Sequence, residues 1–303
     1  MSDLLDQAES CHCSKASTSS IHFILEPVEK DLGGFSVRRL LPASEVKSVG
    51  PFVFFDHLGP ARFAAGEGID VRPHPHIGLA TITYLFEGEI MHRDSLGSVQ
   101  PIRPGAINWM TAGRGIVHSE RTPPHVRSAG QTLHALQLWV ALPAADEETD
   151  PAFFHYAAHD LPEVRETNRS MRVLIGEAFG VRSPVKTYSE TLYVEVRLAT
   201  GAVVTIPEHA GERALYLISG AIKVQGTTLP LHTMTVVDRS RGIELVAQEE
   251  ALLVIIGGTP LGKRTVWWNL VASRRELIEK AKQDWQAGRF PRVPGETEFI
   301  PLP

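Results

Sequence analysis

The sequence predicts an all-β protein made of two β domains, with one helix near the C-terminus. Short apolar stretches broken by Gly and Pro recur along most of the chain, as they do in sandwiches and barrels. Residues 79–86 (LATITYLF) are rich in β-branched and aromatic side chains, which favour strands. Residues 84–90 (YLFEGEI) weakly resemble residues 216–222 (YLISGAI). This internal similarity indicates a duplicated β domain.

Two elements of the second half have clear patterns. Residues 192–198 alternate, which predicts a strand with one apolar face formed by Leu192, Val194, Val196 and Leu198. Further on, Ser273 and Glu276 have the spacing of a capping box, and Gly288 is typical of a helix end. The helix between them would present an apolar stripe of Leu277, Ala281 and Trp285.

Composition excludes several classes of protein. The 303 residues are 43% apolar and 21% charged, which is typical of a globular protein and not of a disordered, collagen-like or coiled-coil one. With 30 Lys and Arg against 35 Asp and Glu, the net charge is −5, so we expect no direct nucleic-acid partner. No apolar run approaches the roughly 20 residues that a membrane helix needs, so we expect no membrane partner.

The first twenty residues are polar and lack the apolar centre of a secretory signal, so we expect a disordered tail over residues 1–20 and a cytoplasmic location. The only cysteines, Cys11 and Cys13, lie there, and we expect no disulfide. Together with His12 they could clip a metal. These three possible ligands lie on a Ser-rich tail, however, and no second group of ligands accompanies them. We therefore interpret this segment as having no metal site.

The remaining boundaries follow from composition. We predict a first, metal-binding domain over residues 21–145 and an acidic, Pro-containing connector over residues 146–170. A second domain without metal would occupy residues 171–303.

The first half carries two pairs of possible metal ligands. His74 and His76 flank Pro75, and His118 and Glu120 flank Ser119. Because residues i and i+2 of a strand point to the same face, each pair would project two ligands from one strand. Two such strands facing one another would bring three imidazoles and one carboxylate to a common point. That donor set suits Fe(II), Mn, Ni, Co, Cu or Zn.

A lone His-x-His is common and is weak evidence for a metal site. The glycines and prolines around these pairs strengthen the interpretation. Gly68 precedes His74 by six positions, Gly88 closes the following strand, and Pro104-Gly105 makes a turn before His118. This is the spacing of the two cupin-barrel motifs.

The stretch RPHPHIGLATITYLFEGEIMHRDSLG…IRPGAINWMTAGRGIVHSE, over residues 72–120, closely resembles the pirin family of bicupins. The likeness continues more loosely at residues 37–42 (VRRLLP) and 52–59 (FVFFDHLG). The resemblance implies two cupin barrels packed face to face, with a short C-terminal helix and with metal only in the first barrel. It also implies one divalent metal per chain, usually iron, held by the matching residues His74, His76, His118 and Glu120.

The sequence departs from many pirins at two places. Ile77-Gly78-Leu79-Ala80 replaces the usual Arg-Gly-Phe-Glu, and Ala106 replaces an Asp after the Pro-Gly turn. We expect these changes to alter the mouth of the pocket. The loss of an acidic residue near position 80 leaves Glu120 as the carboxylate ligand.

Other histidines are weaker candidates. His92 shares a predicted strand face with Ile90 and Asp94, so it is the best candidate to support a ligand from behind. In the second half, His209 and His232 have no His-x-Glu partner and are interpreted as structural.

Three functions fit the resemblance. The first is a quercetinase-type dioxygenase, in which a flavonol chelates the metal, O₂ cleaves its central ring and Glu120 also acts as the catalytic base. The second is a regulatory protein, in which the oxidation state of the metal sets binding to a transcription factor or a metabolic enzyme. The third is a metallo-cupin with another small substrate. An enclosed apolar pocket at the metal would favour the enzyme, and a strongly charged patch beside it would favour the regulator.

Overall fold

The computed structural model describes residues 13–15, 20–32, 34–209, 211–239 and 242–303. In chain order, the first elements are β1 (Cys13–Lys15), β2 (Ile21–Leu25), β3 (Val28–Asp31), β4 (Ser36–Leu41), β5 (Phe52–Phe63), β6 (Asp70–His76), β7 (Leu79–Glu87), β8 (Ile90–Asp94), β9 (Val99–Ile102), β10 (Ile107–Thr111), β11 (Ile116–Arg121), α1 (Pro124–Ala129), β12 (Gln131–Ala141) and β13 (Ala152–Tyr156).

The remaining elements follow the connection between the domains. They are β14 (Glu163–Arg165), β15 (Arg169–Ile175), β16 (Glu177–Ala178), β17 (Val181–Arg182), β18 (Thr191–Leu198), β19 (Val203–Ile206), β20 (Glu212–Ser219), β21 (Ile222–Val224), β22 (Thr227–Thr228), β23 (Met234–Val237), β24 (Ile243–Ala247), β25 (Ala251–Gly258), β26 (Thr265–Trp267), β27 (Leu270–Ala272) and α2 (Arg275–Gln286). The predicted all-β class with a short C-terminal helix is confirmed.

Each domain is built from one large and one small sheet. In the first domain the strand orders are β13-β10-β7-β12-β5-β4-β3 and β6-β11-β8-β9. In the second they are β1-β2-β23-β20-β25-β18-β15-β14 and β19-β24-β21-β22. The similar segments β7 and β20 hold matching places in the two large sheets, which agrees with the predicted duplication.

The two large sheets pack against each other, so their central strands, such as β7 and β25, are buried on both faces. On β7, Ala80, Ile82 and Tyr84 join a core that includes Tyr193, Tyr216 and Val254 of the second domain. The alternate side chains of β7, such as Leu85, face the interior of the first barrel. Burial on both faces explains why this strand is a nearly continuous apolar run.

The interior of the second barrel is filled by aliphatic side chains. The predicted face of Leu192, Val194, Val196 and Leu198 on β18 is confirmed, because all four lie in this core. They pack there with residues of the small sheet such as Val204, Ile243 and Leu245. This aliphatic interior is the reason that we expect the second barrel to bind no metal.

Both ends of the described chain cross between the domains. Strand β2 pairs with β23 of the second domain, although sequence analysis assigned residues 21–145 to the first. The predicted connector, residues 146–170, is also divided, since β13 pairs with β10 and β14 pairs with β15. From the other end, Leu270 of β27 bridges to Ile77 beside the first barrel.

Two smaller predictions need correction. Ser273 does not cap α2: its hydroxyl donates to the buried carboxylate of Glu147 at 2.7 Å, and Arg274 occupies the cap position. A carboxylate is a stronger acceptor than a backbone group, which accounts for the difference. In the predicted disordered tail, Cys13–Lys15 form a strand that pairs with β2. Cys11, His12 and the side chain of Cys13 lie outside the described residues.

In the described part of the chain, neither helix is long and apolar enough to cross a membrane.

The crossing of β2 can be tested with two leucines. Leu25 of β2 is 0% exposed in the core between the domains, whereas Leu96 is 49% exposed. We predict that Leu25→Ala lowers the free energy of unfolding by about 2–5 kcal/mol, the usual cost of a cavity in a core. Leu96→Ala should change it by less than about 0.5 kcal/mol. Denaturant titration measures both, and equal effects would show that β2 is not part of this core.

Candidate metal centre

Strands β6 and β11 bring the three predicted histidine ligands together. They pair antiparallel, with His118 directly opposite His74 and with Ile116 opposite His76. The Nε2 atoms of His76 and His118 are 3.1 Å apart, and one ring nitrogen from each of the three histidines lies within 4.8 Å of the others. All three side chains are buried. The i, i+2 spacing of the sequence therefore places them as expected.

The tautomers of His74 and His76 are set for metal binding. Nδ1 of His74 lies 2.9 Å from the carbonyl oxygen of Arg72, and Nδ1 of His76 lies 2.8 Å from that of Asn269. Because a carbonyl only accepts, each Nδ1 must carry the proton, and each Nε2 keeps its lone pair. Metal-bound histidines are commonly fixed in this way.

Distance and charge also fit a metal ion. Two nitrogens bound about 2.1 Å from one metal at a right angle would be about 3.0 Å apart, close to the distance between His76 and His118. Burial lowers the pKa of His74 to about 4 and the pKa values of His76 and His118 well below the usual range. The imidazoles are thus neutral at pH 7, the form that binds metals.

Glu120 lies beside this group rather than in the middle of it. A bulge in β11 falls between His118 and Glu120, so Glu120 pairs with Val71. Its carboxylate forms a second group of possible ligands with His118 and His92, again within 4.8 Å of one another. His118 belongs to both groups. A metal held by His74, His76 and His118 therefore has Glu120 next to one of its ligands.

The Glu120 carboxylate is buried and held by a threonine. The Thr83 hydroxyl of β7 is 2.9 Å from Oε1 of Glu120 and 2.9 Å from Oε1 of Gln137. A hydroxyl has one proton, so it donates to one of these acceptors at a time. Burial raises the pKa of Glu120, and the nearby His92 and the Thr83 hydrogen bond partly oppose that effect.

His92 supports the site from β8, as its predicted face with Ile90 and Asp94 suggested. All three side chains are buried. Nε2 of His92 is 3.0 Å from Oδ2 of Asp94, and the His92 ring stacks on Phe153 at 4.3 Å. Asp94 also accepts the backbone N–H groups of Leu96 and Ser98, which fix the carboxylate.

A cavity of about 470 Å³ opens onto the ligands, and its lining is mixed, with aromatic residues such as Phe54 and Trp139 beside charged ones such as Arg72. Phe54 and Trp139 stack at 4.0 Å, and Trp139 makes a T-shaped contact with the His76 ring, with ring centres 5.2 Å apart. Arg39 lies 4.5 Å above Phe54 and pairs with Asp56 through two hydrogen bonds of 2.8 and 2.7 Å. The cavity thus combines an aromatic stack with charged and polar side chains.

The expectation that Ile77–Ala80 and Ala106 shape the pocket mouth is wrong, since none of them lines this cavity. Ile77 packs on Leu270, and Ala106 is buried in the core of the first barrel. Gly78 has a φ of 66°, and a side chain there would meet the carbonyl of Val271. Ile77 and Gly78 thus contact the β26–β27 hairpin instead of the cavity.

Several residues of the site are not among those that the sequence predicted. Thr83 and Gln137 face the barrel interior from apolar strands, and the alternation of those strands could have suggested it. Asn269 contributes a backbone carbonyl from 193 residues away, for which the sequence holds no signal. In the second half, His232 lies near His57 with ring centres 5.5 Å apart. Among the described residues, the possible metal-ligand groups all lie in the first barrel.

Comparison with known proteins identifies the family. The family model for pirin matches residues 34–140, and the model for the pirin C-terminal cupin domain matches residues 193–291. The chain belongs to the pirin family. A pirin-like protein of Caulobacter vibrioides is 45% identical over 288 residues, which cover 93% of this chain and 99% of that protein.

Two crystal structures of quercetin 2,3-dioxygenase from Acinetobacter baumannii are also similar. One has a TM-score of 0.86 at 35% identity and covers 92% of this chain and 94% of that one. The other has a TM-score of 0.84 at 26% identity and covers 90% and 99%. The predicted pair of cupin barrels is thus confirmed for this member of the pirin family.

Metal binding should be confined to the first barrel, because the second is filled by aliphatic side chains. We predict about one equivalent of transition metal per chain, and loss of that metal in the double variant His74→Ala, His76→Ala. The control variant His209→Ala, His232→Ala should keep it. Elemental analysis after gel filtration measures the stoichiometry. A value near two, or metal retained by the first variant, would contradict this assignment.

Proposed function

We propose that this pirin is a metal-dependent dioxygenase of the quercetinase type, which opens the central ring of a flavonol with O₂. One observation carries the proposal: a cavity of about 470 Å³, with Phe54 and Trp139 in its lining, leads directly to the buried imidazoles. Such a volume is within the usual range for small-molecule sites. The likeness to two structures named quercetin 2,3-dioxygenase supports the same activity.

The proposed cofactor is one divalent metal held by His74, His76, His118 and Glu120, and iron(II) is our choice. Zn, Mn, Ni, Co and Cu are alternatives, because the same imidazole and carboxylate donors bind each of them. When bound, the metal supplies open coordination positions at which the flavonol and O₂ can be polarised and brought together.

The cavity wall suits a flat polyphenol. The faces of Phe54 are covered by Trp139 and Arg39, so a flavonol ring would lie against the edge of this stack and would approach His76, which contacts Trp139. Such a contact buries apolar surface of both rings. The Arg39–Asp56 pair at the same wall provides a donor and an acceptor for phenolic hydroxyl groups.

Glu120 is the proposed base as well as a ligand. Its Oε1 accepts the Thr83 hydrogen bond, which orients the carboxylate beside His118. In that position the carboxylate can accept the proton of the flavonol 3-hydroxyl and so leave the substrate as an anion. A positioned base of this kind typically contributes about 10²–10⁴-fold to the rate.

The proposal is tested by oxygen uptake with quercetin, using protein purified and loaded with metal without air. Glu120→Gln keeps the shape and an oxygen donor but removes charge and basicity. We predict that this variant retains its metal and that its uptake falls by about 10²–10⁴-fold. Glu87→Gln, an exposed change at the end of β7, is the matched control and should keep the wild-type rate.

Two results would change the conclusion. Full turnover in Glu120→Gln would exclude Glu120 as base. If metal-loaded wild type takes up no oxygen with any flavonol, the dioxygenase proposal fails. If oxidation of the metal then alters affinity for a protein partner, the regulatory function is the correct one.

A further inference from the structure

Strand β6, which carries His74 and His76, lies at the edge of its sheet. The order β6-β11-β8-β9 gives it one neighbouring strand. Pro73 and Pro75 alternate with the two histidines and have no backbone N–H to donate, as is typical of edge strands. The metal ligands of β6 therefore need support from outside the sheet.

That support comes from the C-terminal segment of residues 293–300, here called the strap. The backbone N–H of Ile300 donates to the carbonyl of Pro73 at 2.8 Å. Nε1 of Trp285 on α2 donates to the carbonyl of Ile300 at 3.0 Å, which anchors this end of the strap. The Ile300 side chain lines the metal-site cavity. The strap thus holds β6 next to His74.

Glu296 joins the strap to the other ligand strand. Its Oε1 accepts hydrogen bonds from the Ser119 hydroxyl at 2.8 Å and from Nε of Arg121 at 2.9 Å. Its Oε2 accepts a third bond from Nη2 of Arg121 at 2.8 Å. The Glu296 side chain is mostly buried, so solvent weakens this pair less than an exposed one.

The position of these contacts along β11 gives them a consequence for the metal site. Ser119 lies between His118 and Glu120, and Arg121 directly follows Glu120. The bulge that turns Glu120 aside occurs at this point of the strand. The charge and geometry of Glu296 therefore act on the short stretch of backbone that aims two proposed ligands.

We propose that Glu296 is a positioning residue for the metal centre, which fixes His118 and Glu120 from the outer face of β11 through Ser119 and Arg121. The inference rests on the metal site of the proposed function and does not depend on the substrate. Residues that support metal ligands from behind typically contribute about 10–100-fold to metal affinity.

The experiment measures the rate at which metal-loaded protein releases Co(II) to an excess of chelator. We expect Glu296→Gln to release the metal at least about 10-fold faster than wild type. Glu276→Gln, the same change at an exposed position of α2, should release it at the wild-type rate. The visible spectrum of bound Co(II) should change in Glu296→Gln and not in the control, because the ligand geometry differs.

Two further variants keep the test decisive. Ser119→Ala removes one hydroxyl and leaves the ion pair, so it should speed release by a smaller factor even if Glu296→Gln folds poorly. Arg121 also pairs with Asp70 and Glu298, and Glu296 also accepts the Ser119 hydroxyl, so the two residues share only part of their contacts. Arg121→Gln combined with Glu296→Gln should therefore speed release by less than the product of the two single effects. Wild-type release and an unchanged spectrum in folded Glu296→Gln would overturn the inference. A wild type that binds no Co(II) would instead overturn the metal site itself.

Discussion

Antiparallel pairing of β6 with β11 is the constraint on which the rest of the site depends. It sets His74 opposite His118 and leaves the Nε2 atoms of His76 and His118 3.1 Å apart in a buried space. Burying several imidazoles is costly unless their polar atoms have partners. The carbonyls of Arg72 and Asn269 satisfy two of the Nδ1 atoms and direct the free nitrogens towards one another. A metal ion would complete that arrangement.

Packing of the two domains supplies the frame for this pairing. The large sheets pack on each other, so β7 and β12 are held in place on both faces. Their inward side chains, Thr83, Gln137 and Trp139, therefore form a rigid wall of the site. The second barrel is closed by its own aliphatic core. It contributes to the centre indirectly, through the hairpin and strap that follow it and dock on β6 and β11.

The sequence predicted those parts of the structure that depend on local spacing. The His-x-His pair and the His-x-Glu pair could be predicted from the two-residue repeat of a strand. The apolar face of β18 could be predicted from the alternation of its residues. Glu120 was predicted at the common point, but the bulge that turns it towards His92 has no local signal. Nor could the segment of β2 (IHFIL) show which large sheet it joins, because its apolar pattern suits either.

Contacts between distant parts of the chain were beyond prediction. Glu296 meets Ser119 across 177 residues, and Asn269 meets His76 across 193. A glutamate near the end of the chain and a backbone carbonyl have no pattern that links them to a ligand. Ser273 is a similar case: its spacing predicts a helix cap, but its hydroxyl donates to the buried carboxylate of Glu147, which is distant in sequence.

The central claim is that a metal is bound by the imidazoles and carboxylate of the first barrel. X-ray absorption spectroscopy of the chain, loaded with one equivalent of iron(II) without air, tests it most directly. We predict three imidazole ligands together with oxygen donors, all at about 2.0–2.2 Å, and one imidazole fewer in His118→Ala. A sulfur shell at about 2.3 Å, which would point to Cys11 and Cys13, or an imidazole count unchanged in His118→Ala, would contradict the account.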